Sequence, residues 1–447
     1  MIFQKHFTYI AKNMKNTKKY TFSFGMLTSL FFMWGLITVL VDSLIPRLRE
    51  IFELSYFQSG LVQFAFFIAY GLVSIPAGKL LHKIGYKKGI VVGLITMGLG
   101  CLLFYPAAAF RYFELFMAGY FILAAGMTIL QVAANPYVTV LGDPQKAASR
   151  LNLAQAFNSL GTAIAPALGA VLILGDQIKS SSQIEQLSEV AKEQYLVQEA
   201  TAVQQPFLML ALSILVLAFI TAIIPLPSII GNSIKGSYKD ALKNKKLMFG
   251  ALGIFVYVGA EVTIGSYLVN YFLDMHLDQA ILNSDLLSHW VKLIQGDNLT
   301  QLDAKGIVAT FVVFYWSSAM LGRFIGAFLS KVISPPKLLL IFAALAGFML
   351  LGSMGSNGIV SMVSILLVGL FNSIMFPTIF SIAIEDLGEL KAEGSGILCT
   401  AIAGGAFIPP LYGFLTDSIG FKWAFISILI CYSYIFIYAR LTWKKVL

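Results

Sequence analysis

Two carboxylates, Asp42 and Glu261, interrupt long apolar stretches of the sequence. A charged side chain at bilayer depth costs about 2.5 to 3.5 kcal/mol on insertion scales, so such an acid usually faces a wet cavity and binds a proton or a metal cation. Asp42 shares a helical face with Thr38 and Trp34 at spacings of four and eight, near the outer end of its stretch. Glu261 sits nearer the middle of its own stretch and is followed by Gly265. The amides form a second group. Gln131 and Asn135 are four apart, Gln155 and Asn158 three apart, and Gln63, Asn270 and Asn372 stand singly. An amide both donates and accepts, which suits recognition of hydroxyl-rich molecules, although it serves equally to join helices. Asn270 follows Glu261 by nine residues, which is about 180° on an ideal helix. The two therefore reach one cavity only if the helix unwinds near Gly265. Trp34 and Trp316, with Phe67, Tyr267 and Phe376, offer apolar ring faces to a pyranose.

Other chemistry is missing from the sequence. None of His6, His82, His276 and His289 lies deep in an apolar stretch, so metal or proton-relay work by histidine inside a membrane is unsupported. Cys101, Cys399 and Cys431 are odd in number and show no C-x-x-C spacing, which excludes a disulfide framework or thiolate metal site. No G-x-x-x-x-G-K-[ST] loop is present, so energy does not come from ATP bound to this chain. No nucleophile and base stand at usable spacing, and the chain reads as a non-enzyme with no cofactor and no resident metal, a sodium ion at Asp42 and Glu261 excepted.

Elements that could position these residues follow from composition. The 447 residues are 58% hydrophobic and 12% charged, which excludes an ordinary soluble globule. Apolar segments of about 18 or more residues mark spans, since a helix rises about 1.5 Å per residue across about 30 Å of hydrocarbon. Twelve are found: Phe22 to Ile45, Gly60 to Leu81, Gly89 to Pro106, Phe113 to Val140, Leu151 to Leu174 and Phe207 to Leu226, then Leu247 to Phe272, Ile307 to Leu329, Leu338 to Ser353, Ile359 to Ile384, Ser395 to Thr416 and Phe421 to Tyr438. The expected organisation is a cytoplasmic tail (1–21), a six-helix bundle (22–227), a basic linker along anionic headgroups (228–246) and a second bundle (247–447).

Charge sets the orientation. With both ends inside, 23 of the 31 lysines and arginines fall in cytoplasmic segments, Arg323, Lys331 and Lys337 counted together among them. The acids run the other way, five in each of the outer loops Gly175 to Gln205 and Leu273 to Lys305. The net charge of +9 therefore reads as topology and not as nucleic-acid binding. The halves also repeat at an offset of roughly 240 to 250 residues. Gly78 to Lys83 matches Gly326 to Lys331, Pro136 matches Pro377, and Ala165 to Gly169 matches Pro409 to Gly413. The fold class is an all-α membrane protein of twelve transmembrane helices, built as two six-helix repeats that can rock about a central site.

At these residues the sequence resembles the major facilitator superfamily, and within it the fucose and glucose/galactose permease branch. The strings that carry the resemblance are Leu130 to Val138 (LQVAANPYV), Arg150 to Ser159 (RLNLAQAFNS), Tyr257 to Val262 (YVGAEV), Phe376 to Phe380 (FPTIF) and Gly322 to Gly326 (GRFIG). The superfamily's usual loop aspartate falls at His82. The resemblance implies a monomeric inner-membrane symporter that imports a hexose with a proton or sodium ion. Fucose members carry one carboxylate matching Asp42 and another on the fourth span, where this sequence has Gln131. Gln131 with Glu261 looks like the glucose/galactose subgroup. Fucose, N-acetylglucosamine and fructose are the alternative sugars, and export of a lipid or drug is the alternative class.

Overall fold

The computed structural model describes residues 20–40, 56–173, 187–227, 237–296 and 302–446, and every regular element among them is helical. The long helices are α1 (Tyr20–Leu40), α2 (Tyr56–Ile84), α3 (Tyr86–Ala109), α4 (Phe113–Val140), α5 (Ala147–Ile173) and α6 (Glu189–Ile223). They continue with α7 (Lys245–Asp274), α8 (Ala304–Leu329), α9 (Pro335–Gly355), α10 (Gly358–Ile384), α11 (Gly388–Ala424) and α12 (Ile426–Trp443). Eleven are long and apolar enough to cross a membrane, and α5, with 27 residues, stands where the fifth span is expected. The ninth span, short in the sequence reading, is a 21-residue helix with Pro335 in its first turn.

Boundaries differ most at α6. The spaced charges after Gln186 belong to the same helix as the sixth span, 35 residues in all, and so about 50 Å long. The Ser188 hydroxyl caps its first turn by accepting from the Ala191 amide, and Glu193 on the next turn binds Arg111, between α3 and α4, at 2.6 Å. The Arg323 assignment also changes. Counted above with the cytoplasmic segments, this residue lies inside α8.

The chain forms two compact units. Met1–Ala241 joins with Asp386–Thr400 in the first, and Leu242–Glu385 with Ala401–Leu447 in the second. The first half of α11 thus belongs with the N-terminal helices, and a 3-10 turn at Ala401–Ala403 begins where the chain returns to the second unit. Within the first unit α3 packs on α4 and α6, and α2 packs on α4. Within the second, α9 packs on α10 and α12, and α7 packs on α11.

Each unit solves one packing problem in the same way. Lipid tails are as apolar as leucine, so helices associate where small residues let backbones approach. A Cβ on Gly161 of α5 would fall on the Phe32 carbonyl of α1, and one on Gly35 of α1 on the Asn158 carbonyl of α5. In the second unit a Cβ on Gly404 of α11 would fall on the Phe255 carbonyl of α7, and one on Gly259 of α7 on the Ile408 side chain of α11. First with fifth and seventh with eleventh are equivalent pairs in the repeat. These crossings fix the helices that carry Thr38, Asn158 and Glu261. Gly161→Ala should therefore push α1 from α5 and lower stability by about 1 to 3 kcal/mol. Thermal unfolding in detergent micelles reads this, and an unchanged Tm would mean the helices are not in backbone contact.

Candidate substrate and cation site

In the first unit the polar residues lie on α4 and α5, with α1 and α2 beside them. From Leu130 to Thr139, α4 is buried throughout, so its amides cannot be satisfied by bulk water. Gln131 donates to the Tyr70 hydroxyl of α2. One member of each amide pair expected at helical spacing meets the other, Gln155 Nε2 lying 3.5 Å from Asn135 Oδ1. Asn135 is fully buried and its own Nδ2 has no acceptor, the Cys399 sulfur being its polar neighbour. An orphan donor of this kind costs about 1 to 3 kcal/mol, a cost that a ligand oxygen would relieve. Asn158 donates to the Phe31 carbonyl of α1 at 2.9 Å, so this amide joins two helices.

On α1, the Thr38 hydroxyl donates back to the Trp34 carbonyl at 2.8 Å and lies 3.8 Å from the Met127 sulfur of α4. Trp34 is half-buried with its ring beside Phe31. Asp42 and the side chain of Gln63 lie outside the described residues.

The second unit holds an ion pair that the sequence reading did not anticipate. Glu261 on α7 meets Arg323 on α8, Oε1 to Nη2 at 3.4 Å, with both side chains 14% exposed. Arg323 Nε also donates to the Ser373 carbonyl of α10 at 3.2 Å. One guanidinium therefore neutralises the acid and ties down three helices, using the several donors that arginine presents in a planar fork. Tyr257, one turn before Glu261, is buried with its hydroxyl beside the pair.

Next to it, Asn372 on α10 is fully buried and donates to Tyr315 of α8 at 2.8 Å and to Tyr432 of α12 at 3.3 Å. Its Oδ1 has no donor. The first unit thus holds an orphan donor at Asn135, and the second an orphan acceptor at Asn372.

Gly265 has another role than the one expected of it. α7 runs unbroken from Lys245 to Asp274, and the Trp316 ring lies over Gly265, where a Cβ would come within 2.7 Å of it. With no unwinding, Asn270 points away from Glu261 and is exposed, and Trp316 is half-exposed over the glycine. Sequence reasoning missed Arg323 as a partner and missed Tyr70, Tyr257, Tyr315 and Tyr432. The signal for Arg323 was available: it is a lone cation inside the predicted span Ile307 to Leu329, and Glu261 is a lone acid inside another. The tyrosines carry no comparable signal among 19 in the chain.

Comparison with known proteins gives a consistent result. Residues 22–408 match the family model described as Major Facilitator Superfamily. A glucose/galactose transporter of Brucella abortus biovar 1 (strain 9-941) is 47% identical over 431 residues, covering 96% of either chain. The L-fucose-proton symporter of Escherichia coli (strain K12) is 33% identical, covering 96% of this chain and 95% of its own. The crystal structure of FucP, a transporter of that superfamily, in the outward conformation aligns with a TM-score of 0.84 and 33% identity over 95% of this chain and 99% of its own.

The Asn372 hydrogen bonds differ enough in length to be ranked. Tyr315→Phe should destabilise the second unit more than Tyr432→Phe, each by no more than about 1.7 kcal/mol, such bonds in membranes averaging about 0.6 kcal/mol. Unfolding of the purified variants checks the order, and the reverse order would contradict the geometry.

Proposed function

The chain belongs to the Major Facilitator Superfamily, and from that premise we propose that it takes up glucose or galactose together with a proton or a sodium ion. The observation that carries this reading is the 47% identity to a glucose/galactose transporter across 96% of both chains. It is a carrier and not an enzyme. Both termini lie in the cytoplasm, the membrane is the inner one, and the carrier works as a monomer surrounded by lipid. Site chemistry supports the choice of a sugar. In the first unit Gln131, Gln155 and Asn135 bring donors and acceptors, with Asn135 Nδ2 a donor that a sugar hydroxyl satisfies by accepting; in the second, Asn372 Oδ1 is an acceptor that a hydroxyl satisfies by donating. Gln63, Asn158, Thr38 and Trp34 are further proposed substrate contacts of the first unit, and Trp316 and Asn270 of the second.

Coupling needs a carboxylate that is costly to bury until a cation neutralises it. Arg323 already neutralises Glu261. Asp42 is then the acid that takes the transported cation, and Glu261 contributes by holding Arg323, not by binding sodium. Uptake of a panel of labelled sugars into vesicles under imposed proton or sodium gradients tests this. Glucose and galactose should accumulate under one of the two gradients. Asp42→Asn should abolish accumulation while sparing exchange of sugar at equal concentrations. Accumulation of fucose alone would move the substrate to the other side of the branch, and uptake indifferent to both gradients would refute symport.

A further inference from the structure

The connection from α7 to α8 contains a helix that the proposed site does not use. α7 ends at Asp274, His276 turns the chain in the left-handed conformation, and two short helices follow, Leu277–Leu282 and Asp285–Gln295. The first is fastened down. Its Leu277 and Ile281 are fully buried, and it packs against α7, α10 and the start of α8. The second is already formed, with the Ser284 hydroxyl at its N-cap accepting from the Leu287 amide.

At about 100° per residue, this second helix shows three sides of different chemistry. Val291 and Gln295 share the side that meets the protein: Val291 is fully buried, and Gln295 donates to the Thr310 hydroxyl of α8 at 3.3 Å. Asp285, His289 and Lys292 make a polar, exposed side. Leu286, Trp290 and Leu293, with Ile294 beside them, make the third, and they are 69, 38, 65 and 44% exposed. A continuous apolar face left open in this way marks an interaction surface.

What covers this face follows from the span beside it. The Trp290 ring meets the Phe314 ring of α8 edge-on, with centroids 5.4 Å apart. Phe314 begins a stripe that runs on through Leu321, Ile325 and Phe328 at spacings of seven, four and three, which is one face of α8. These last three are exposed apolar residues on a helix apolar enough to cross a membrane, so the stripe meets lipid tails. Trp290 stands at the end of that stripe, and the apolar side of its helix continues the lipid-facing surface of the span. Tryptophan is also the side chain that collects at the level where hydrocarbon gives way to water.

We propose that Asp285–Gln295 is an interfacial helix that lies along the phospholipid surface, with Leu286, Trp290, Leu293 and Ile294 in the boundary between headgroups and acyl chains. Asp285, His289 and Lys292 then face water, as the polar side of such a helix does. Gripped by lipid on one side and by α8 through Val291 and Gln295 on another, the helix sets the depth at which α7 ends and α8 begins. Those two spans carry Glu261 and Arg323. In the proposed orientation the surface is the outer one. Insertion itself rests on the membrane-spanning character of the chain, and not on which sugar or cation it carries.

Nitroxide labels distinguish the sides. Leu286→Cys, Leu293→Cys, His289→Cys and Lys292→Cys are made one at a time in the full chain carrying Cys101→Ala, Cys399→Ala and Cys431→Ala, labelled, and placed in phosphatidylcholine vesicles without sugar. Collision with oxygen, which concentrates in lipid, is compared with collision with a water-soluble nickel chelate. The oxygen-to-nickel ratio at Leu286 and Leu293 should exceed that at His289 and Lys292 by about tenfold, since the apolar side of such a helix lies about 5 to 10 Å into the boundary. Nickel access at every position would overturn the proposal by placing the helix in water. Shielding of Leu286 and Leu293 from both reagents would overturn it by showing that protein covers the face. If the cysteine-free chain does not fold, Trp290→Phe in the parent chain serves instead. It should remove a component of the tryptophan emission that phosphatidylcholine brominated near the headgroup quenches, and loss of emission insensitive to that lipid would overturn the proposal. With no sugar or gradient present, each result is independent of the uptake reading.

Discussion

A carboxylate surrounded by hydrocarbon persists only if an opposite charge or a proton accompanies it, and the arrangement of the second unit follows from how Glu261 meets that demand. Arg323 stands 3.4 Å away and holds the Ser373 carbonyl with another of its nitrogens, so α7, α8 and α10 are fixed by one residue. Removing one member of such a pair leaves the other uncompensated, at a cost of about 3 to 5 kcal/mol. The position of Asn372 depends on the same arrangement, since it lies on α10 just before Ser373 and reaches Tyr315 on the helix that carries Arg323. An internally neutralised acid has no need of a transported cation, which supports the proposal that Asp42 takes it.

The first unit meets the same constraint with neutral groups. Gln131 with Tyr70 and Asn135 with Gln155 form a set of amides and phenol in which almost every polar atom has a partner. Neutral pairs are cheaper to bury than charges and easier to rearrange, which suits a surface that must bind and release a polar molecule. The backbone contacts at Gly35 and Gly161, and at Gly259 and Gly404, give both amide and ion-pair faces a fixed base. Packed helices that move as bodies, with polar groups waiting on them, are the physical requirement of alternating access.

Much of this was legible in the sequence because hydrocarbon imposes one simple rule, and the helices fall where apolar runs of span length predict them. Long-range pairing was less legible. The four-residue spacing of Gln131 and Asn135 places them on one face of α4, but it does not say that Gln131 turns to Tyr70 while Asn135 turns to Gln155. Gly265 illustrates the converse, because a glycine in a span allows either a broken helix or a flat seat for a ring, and only the position of Trp316 decides between them. The eleventh span, expected from Ser395, begins earlier as a helix at Lys391, which carries Glu393 inside.

Accumulation of sugar by variants of the ion pair tests the internal neutralisation of Glu261 most directly. In proteoliposomes with an imposed cation gradient, Arg323→Gln alone should fail to accumulate, because it leaves a bare acid in the second unit. The double variant Glu261→Gln with Arg323→Gln removes both charges together and should regain gradient-driven accumulation. A double variant that exchanges sugar at equal concentrations but never accumulates it would contradict the account, and would make Glu261 a carrier of the coupling cation after all.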